Sequence, residues 1–273
     1  IENNRGAAQG GGMMLWLYGQ DKALVENCSI IGNSVSRGAG GDSLGGGLRH
    51  GNGELTIRNT TIANNTALDQ GGGLWIGGRS PVTITNSTIS GNRADNGSGQ
   101  GLGGAISFAN DPAYAVALKN LTITDNYAGF GGGAFWTNQT GITLSNSIVA
   151  NNNTSNPWKL NSQTGWQLTD GGNNIQFPGP LSPSDKTVTA SVRIVDPKLA
   201  PLQSANGFTP TQPLLKGSPA IDGANSTATP TDQRGIGRSG KPDIGAVEWV
   251  ANRNLKLNGT VANDALSGGS GQD

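Results

Sequence analysis

The feature that most constrains this chain is a phrase that it repeats. Residues 55–76 read LTIRNTTIANNTALDQGGGLWI: two short β-branched runs around an Asn, a turn with a second Asn, a glycine triplet and a third run. Related phrases stand at 24–33, 82–108, 117–136 and 142–152. Aligning them gives one column at Asn27, Asn59, Asn86, Asn120 and Asn146. Six residues later comes a second, Asn33, Asn65, Asn92, Asn126 and Asn152, which Asn4 extends backwards. Members of the second column lie 29, 32, 27, 34 and 26 residues apart. Repeats of this length, with the variation left to loops, predict a solenoid in which each unit stacks on the last.

Apolar residues alternate before the first Asn (Leu55 and Ile57, Val82 and Ile84, Val116 and Leu118, Ile142 and Leu144), as in strands with one buried face. Ile30, Ile62, Ile89, Ile123 and Val149 follow it by three residues, so the parity slips by one and the chain must bend. Asn tolerates the left-handed backbone that such a bend needs. We expect Asn27, Asn59, Asn86, Asn120 and Asn146 to form a ladder, hydrogen-bonded from rung to rung. The glycine blocks, such as Gly71–Gly73 and Gly131–Gly133, lead into the third run. The prediction is an all-β parallel β-helix with three strands per turn. At about 4.8 Å per rung, six rungs make a rod of roughly 25–30 Å.

Composition excludes several classes. Charged residues are 13% of the chain and balance to zero, so nothing suggests nucleic-acid binding or a polybasic anchor. Cys28 is the single cysteine, which rules out an intrachain disulfide and a thiolate metal cluster. No apolar run approaches the ~18 residues of a membrane helix. The opening IENN matches IANN at 62–65, so the chain begins within a repeat, and we expect a longer parent protein.

The GG[GA]-[LIA] and T-I-x-x-N phrases resemble right-handed, single-stranded parallel β-helices of secreted and outer-membrane bacterial proteins, including polymorphic outer-membrane protein repeats. This likeness covers residues 1–155. GSPAIDGAN (217–225), TDQRG (231–235) and KPDIGAVEW (241–249) resemble the C-terminal module that closes many such proteins. Residues 156–250 are therefore expected to hold the last irregular rungs and a C-terminal cap, held by polar contacts around Arg234. Residues 251–273 read as a linker and the start of a repeats-in-toxin tail: GGSGQD fits the nonapeptide pattern G-G-x-G-x-D. That resemblance implies calcium as cofactor, with Asp264 and Asp273 as ligands only once further repeats complete the site. It also implies an extracellular or cell-surface location.

In enzymes on this scaffold, substrate lies along one sheet. Counting past each glycine block gives an outward column of Met14, Arg49, Trp75, Ser107 and Phe135. No carboxylate stands in it, whereas a calcium-dependent lyase needs several and a glycoside hydrolase needs a pair. The nearest acids, Asp42, Glu54, Asp69 and Asp111, fall in loops. What the column offers is Trp75 and Phe135 with Arg49, and Trp16 near the first rung. Aromatic faces can stack on the apolar C–H faces of sugars. The sequence thus favours a non-catalytic module for surface or matrix adhesion or for polysaccharide binding. The alternative is a polysaccharide lyase or glycoside hydrolase with loop-borne catalytic groups.

Overall fold

The computed structural model describes residues 1–250 apart from 19, 110–113, 139, 161, 205–208 and 239. Each turn of the chain contributes to three parallel sheets. The broad sheet collects both β-branched runs. Before the bend it holds Lys22–Glu26, Glu54–Arg58 and Ile142–Ser145, and beyond it Ser29–Ile31, Thr61–Ala63 and Ile148–Ala150. In two rungs the strand continues through the bend, as Val82–Ser90 and Val116–Thr124. The runs expected as separate strands are thus two arms of one bent sheet. A narrow sheet follows the second Asn, with Ser34–Ser36, Thr66–Ala67, Arg93–Ala94 and Tyr127–Ala128 among its strands. The glycine-led sheet is Met13–Leu15, Leu48–His50, Leu74–Ile76, Ile106–Phe108 and Phe135–Trp136.

Register stacks like on like. Ile57 pairs with Ile84, Ile84 with Leu118 and Leu118 with Leu144. Leu55, Ile57, Ile62, Leu74 and Ile76 are wholly buried in a core that runs the length of the rod. Burying such a side chain contributes roughly 1.5–3 kcal/mol, and every rung repeats the set. The glycine blocks are forced by close approach: a Cβ on Gly46 would collide with the carbonyl oxygen of Gly72 in the next rung.

The two Asn columns divide the labour differently from expectation. Asn27, Asn59, Asn86, Asn120 and Asn146 do make the bend, with φ of 52, 51, 46, 52 and 48°. The amide ladder, however, runs through the second column. Nδ2 of Asn4, Asn33, Asn65, Asn92 and Asn126 each donates to Oδ1 of the next member, at 2.8–2.9 Å. Left-handed backbone at the first column turns those side chains away from one another. The second column points inward, where each Oδ1 also accepts the backbone N–H of the Asn one rung earlier. Just after the bend, a further polar column links rungs: Thr60 Oγ1 accepts from the Cys28 N–H, Ser87 Oγ from Thr60 and Ser147 Oγ from Leu121. Cys28 sits at its start, half-buried, its thiol directed at the carbonyl of Glu26.

Irregular turns close the C-terminal end of the core. Val188 is wholly buried there and its carbonyl accepts the Leu168 N–H at 2.9 Å. The final module does something else: it runs back along the outer flank of the broad sheet as a strap. Gln233 accepts from Thr88 Oγ1 (2.6 Å) and donates to Thr61 Oγ1 (2.9 Å), and Thr124 Oγ1 donates to Gln212. Asn86, Asn120 and Asn146, freed from any ladder, bond instead to Thr229, Thr231 and Asn225 of the strap. Where the outward positions turn apolar, so does the strap: Ile148, Ala150 and Ile175 pack with Leu214, Ala220 and Ile244 in a second core. Arg234 pairs with Asp232 at 2.7 Å, as the motif suggested, but the deeper anchor is Arg238. Its side chain is 1% exposed, pairs with Glu248 at 3.0 Å and donates to the carbonyls of Asp243 and Gly245.

Candidate functional site

On the outer face of the glycine-led sheet, pairing places Met14, Arg49 and Trp75 in one column, followed by Ser107 and then Trp136. Phe135 is not in it. It pairs with Ile106 and is wholly buried, so the expected outward Phe135 is a core residue and Trp136 takes its place. The reason is register within the glycine block. Gly131 bridges to Leu102, so Gly132, with φ of 69°, is the counterpart of Gly103, and counting from the triplet falls one residue short. The shared GGA of 103–105 and 132–134 carried that signal.

Arg49, Trp75 and Trp16 do come together. The Arg49 guanidinium lies between two indoles, 4.5 Å from the Trp16 ring centre and 4.7 Å from that of Trp75. Trp75 is held by its Nε1–H, which donates to Gln70 Oε1 at 3.2 Å; the Ser107 hydroxyl donates to the same oxygen at 3.2 Å. Arg49 is only 6% exposed, and its Nε and Nη1 are sealed from solvent without a hydrogen-bond partner. Burial pushes its pKa down. Each cation–π contact is worth about 0.5–2 kcal/mol, against about 1–3 kcal/mol for an unmet buried donor. The rings therefore hold a cation that hydrogen bonding leaves unsatisfied.

Trp136 opens a second aromatic group. Its indole packs against Gly165 of the next rung, where a Cβ would come 2.5 Å from the ring. Phe130 meets Trp136 edge-on at 6.5 Å and Trp158 at 6.3 Å. Alongside, Lys186 Nζ stands 4.2 Å from the ring centre of Trp166 and donates to the Gly165 carbonyl at 3.2 Å. Trp158 and Trp166 are 65% and 49% exposed, so the cluster faces solvent. Column counting missed this group because Phe130, Trp158, Trp166 and Lys186 lie outside the repeated positions.

The acids lie elsewhere, and most of the candidates are engaged, Asp42 being left exposed. Glu54 pairs with Lys22, Asp69 with Arg37 and Glu26 with Arg58, all on exposed rims. Asp243 and Glu248, whose pKa values burial pushes up, are bound within the strap. Asp111, Asp264 and Asp273 fall outside the described residues. Among the described residues no group of three or more His, Cys, Asp and Glu side chains could hold a metal. His50 is wholly buried, its Nε2 2.9 Å from the Gly53 carbonyl, and desolvation lowers its pKa, which suits a packing role. A cleft of about 540 Å³ lies between strap and solenoid, but its Asp125 contacts Gln212 and its Asp196 caps the Lys198 N–H.

Parallel rungs, stacked Ile and Asn columns and one continuous core define a β-helix with an aromatic face. The chain belongs to the right-handed β-helix family: the model for the right-handed β-helix region matches residues 1–179. Comparison with curated proteins and with solved structures returned no match. Among the described residues no helix is long and apolar enough to cross a membrane.

Proposed function

We propose that this protein is a non-catalytic, extracellular β-helix module that binds polysaccharide along its glycine-led sheet. The observation that carries the reading is the placing of Trp75 and Trp136 in one outward column, two rungs apart. At about 4.8 Å per rung that separation is close to 10 Å, which suits successive contacts on one extended sugar chain. Both indoles are held from beneath, Trp75 by Gln70 and Trp136 by the Gly165 backbone, so little ordering entropy is lost on binding. The repeats-in-toxin resemblance of residues 251–273 supports secretion and a calcium-binding tail in which Asp264 and Asp273 take part once further repeats supply the remaining oxygens.

Affinity electrophoresis through gels that each contain one polysaccharide tests the platform. Retardation by at least one polymer is expected, and Trp75→Ala and Trp136→Ala should each weaken it about tenfold, the worth of one aromatic stack. Unchanged mobility of both variants would reject the platform. Release of unsaturated or reducing ends from the same polymers at ordinary enzymatic rates, about 1 s⁻¹ or faster, would make the module an enzyme.

A further inference from the structure

Trp75 and Trp136 suffice to seat a sugar chain, and stacking alone does not require the cation beside them. Arg49 is nonetheless the one charged residue of the outward column, and it is buried. The other buried arginine, Arg238, is matched by Glu248. Among the described residues Arg49 has no carboxylate partner: two indoles and the Gly51 backbone lie against it, burial lowers its pKa, and two of its nitrogens lack acceptors. A guanidinium held against two indoles by its charge keeps its N–H donors for acceptors, and carboxylate and sulfate oxygens match their planar fork. Trp16, 4.5 Å from it, is 47% exposed, so the guanidinium lies next to a ring that borders solvent. At the far end a second cation, Lys186, lies over Trp166, with the Gly165 carbonyl as acceptor. From the rung of Arg49 to that of Gly165 is four rung spacings, about 19 Å.

We infer that the aromatic face selects an anionic glycan, Arg49 taking a carboxylate or sulfate on the sugar that stacks at Trp75. This rests on the polysaccharide platform proposed above. Among the described residues Arg49 has no counter-ion, and the ligand supplies one. Lys186 takes a second anionic group further along the same polymer.

The test uses matched gels: polygalacturonate against its methyl ester, and dextran sulfate against dextran. The intact protein should be retarded at least about tenfold more strongly by the charged member of one pair, a preference that rising salt removes. Arg49→Gln should weaken that retention about tenfold while changing retention on the neutral partner less than threefold. Arg49→Lys, which keeps charge but not the planar fork, should fall between. Thermal unfolding of each variant separates loss of binding from loss of fold. If polygalacturonate is the ligand, retention falls as pH drops below about 4, whereas sulfate retention persists. Equal retention on both members of each pair, or a charge preference undiminished in Arg49→Gln, overturns the inference and leaves the platform standing. No retention on any gel overturns both.

Discussion

Asn92 occupies the middle of the buried ladder, and its side chain has four obligations. Its Oδ1 accepts from the backbone N–H and Nδ2 of Asn65, and its Nδ2 donates to the Ile62 carbonyl and to Asn126. Asn92→Ala orphans the Asn65 N–H and takes the ladder acceptor from Asn65 Nδ2, both enclosed, and is expected to cost roughly 2–4 kcal/mol. Urea unfolding checks this as a lower midpoint at unchanged slope. Asn27 gives the contrast, being exposed and at φ of 52°. There Asn27→Gly should be close to neutral, while Asn27→Ala, forced into left-handed backbone, should cost about 1 kcal/mol. The two columns were equally visible in the sequence, and their roles were separable only through a neighbour. The ladder residue follows Asn3, Gly32, Asn64, Gly91, Asp125 or Asn151, all at positive φ, and Asn, Gly and Asp are the residues that accept it. That dipeptide turns the ladder side chain inward. Phe135 shows the same limit: a core Phe and an outward Trp are adjacent, and one residue of slip within a glycine block exchanges them.

At the scale of elements, the strands were legible because stacking repeats each contact. The strap was not, because Gln212, Gln233 and Ile244 each make a contact that occurs once, and period carries no trace of it. Strap and last turn also answer oppositely to pH. Asp243 and Glu248 have pKa values raised, chiefly by burial, so the docked strap holds protons that the undocked strap releases. Their contribution to docking is full at low pH and is lost as pH rises from about 4 through the raised values. Asp170, beside the closing turn, goes the other way. Burial works against its ionisation, but hydrogen bonds from the Ser191 hydroxyl and the N–H groups of Ser191 and Gly172 outweigh that and lower its pKa. Its contribution is present above about 4 and disappears as pH falls through the lowered value. Hydrogen exchange compared across this range, with intrinsic rates corrected, should therefore show amides near Ser191 losing protection on acidification. Over the same interval amides around Glu248 should gain it. A common direction in both segments would refute this assignment.

At the scale of the whole molecule, the described residues form two hydrophobic cores of unequal extent on one scaffold. The first runs through every rung from Val25 to Val188 and is bound by ladders that each rung shares with the next. The second is the patch between Ile148, Ile175 and the strap, reinforced by Gln233, Arg238 and the bend asparagines. Its partners come from positions far apart in sequence, so undocking releases a long segment at once while the rungs beneath stay paired to each other. Such a unit opens at lower free energy than the rod that carries it. Ile244 separates the two: it is wholly buried, packs in the second core and makes none of the ladder bonds. Ile244→Ala should cost about 2–4 kcal/mol, within the range for a truncated core side chain. The loss should fall on the strap alone, as faster exchange and earlier proteolytic cleavage between residues 195 and 250. Ladder amides at Asn65, Asn92 and Asn126 should keep wild-type protection. Equal loss in both places would mean that strap and rod unfold as one, and that the flank is part of the solenoid's stability instead of a layer docked upon it.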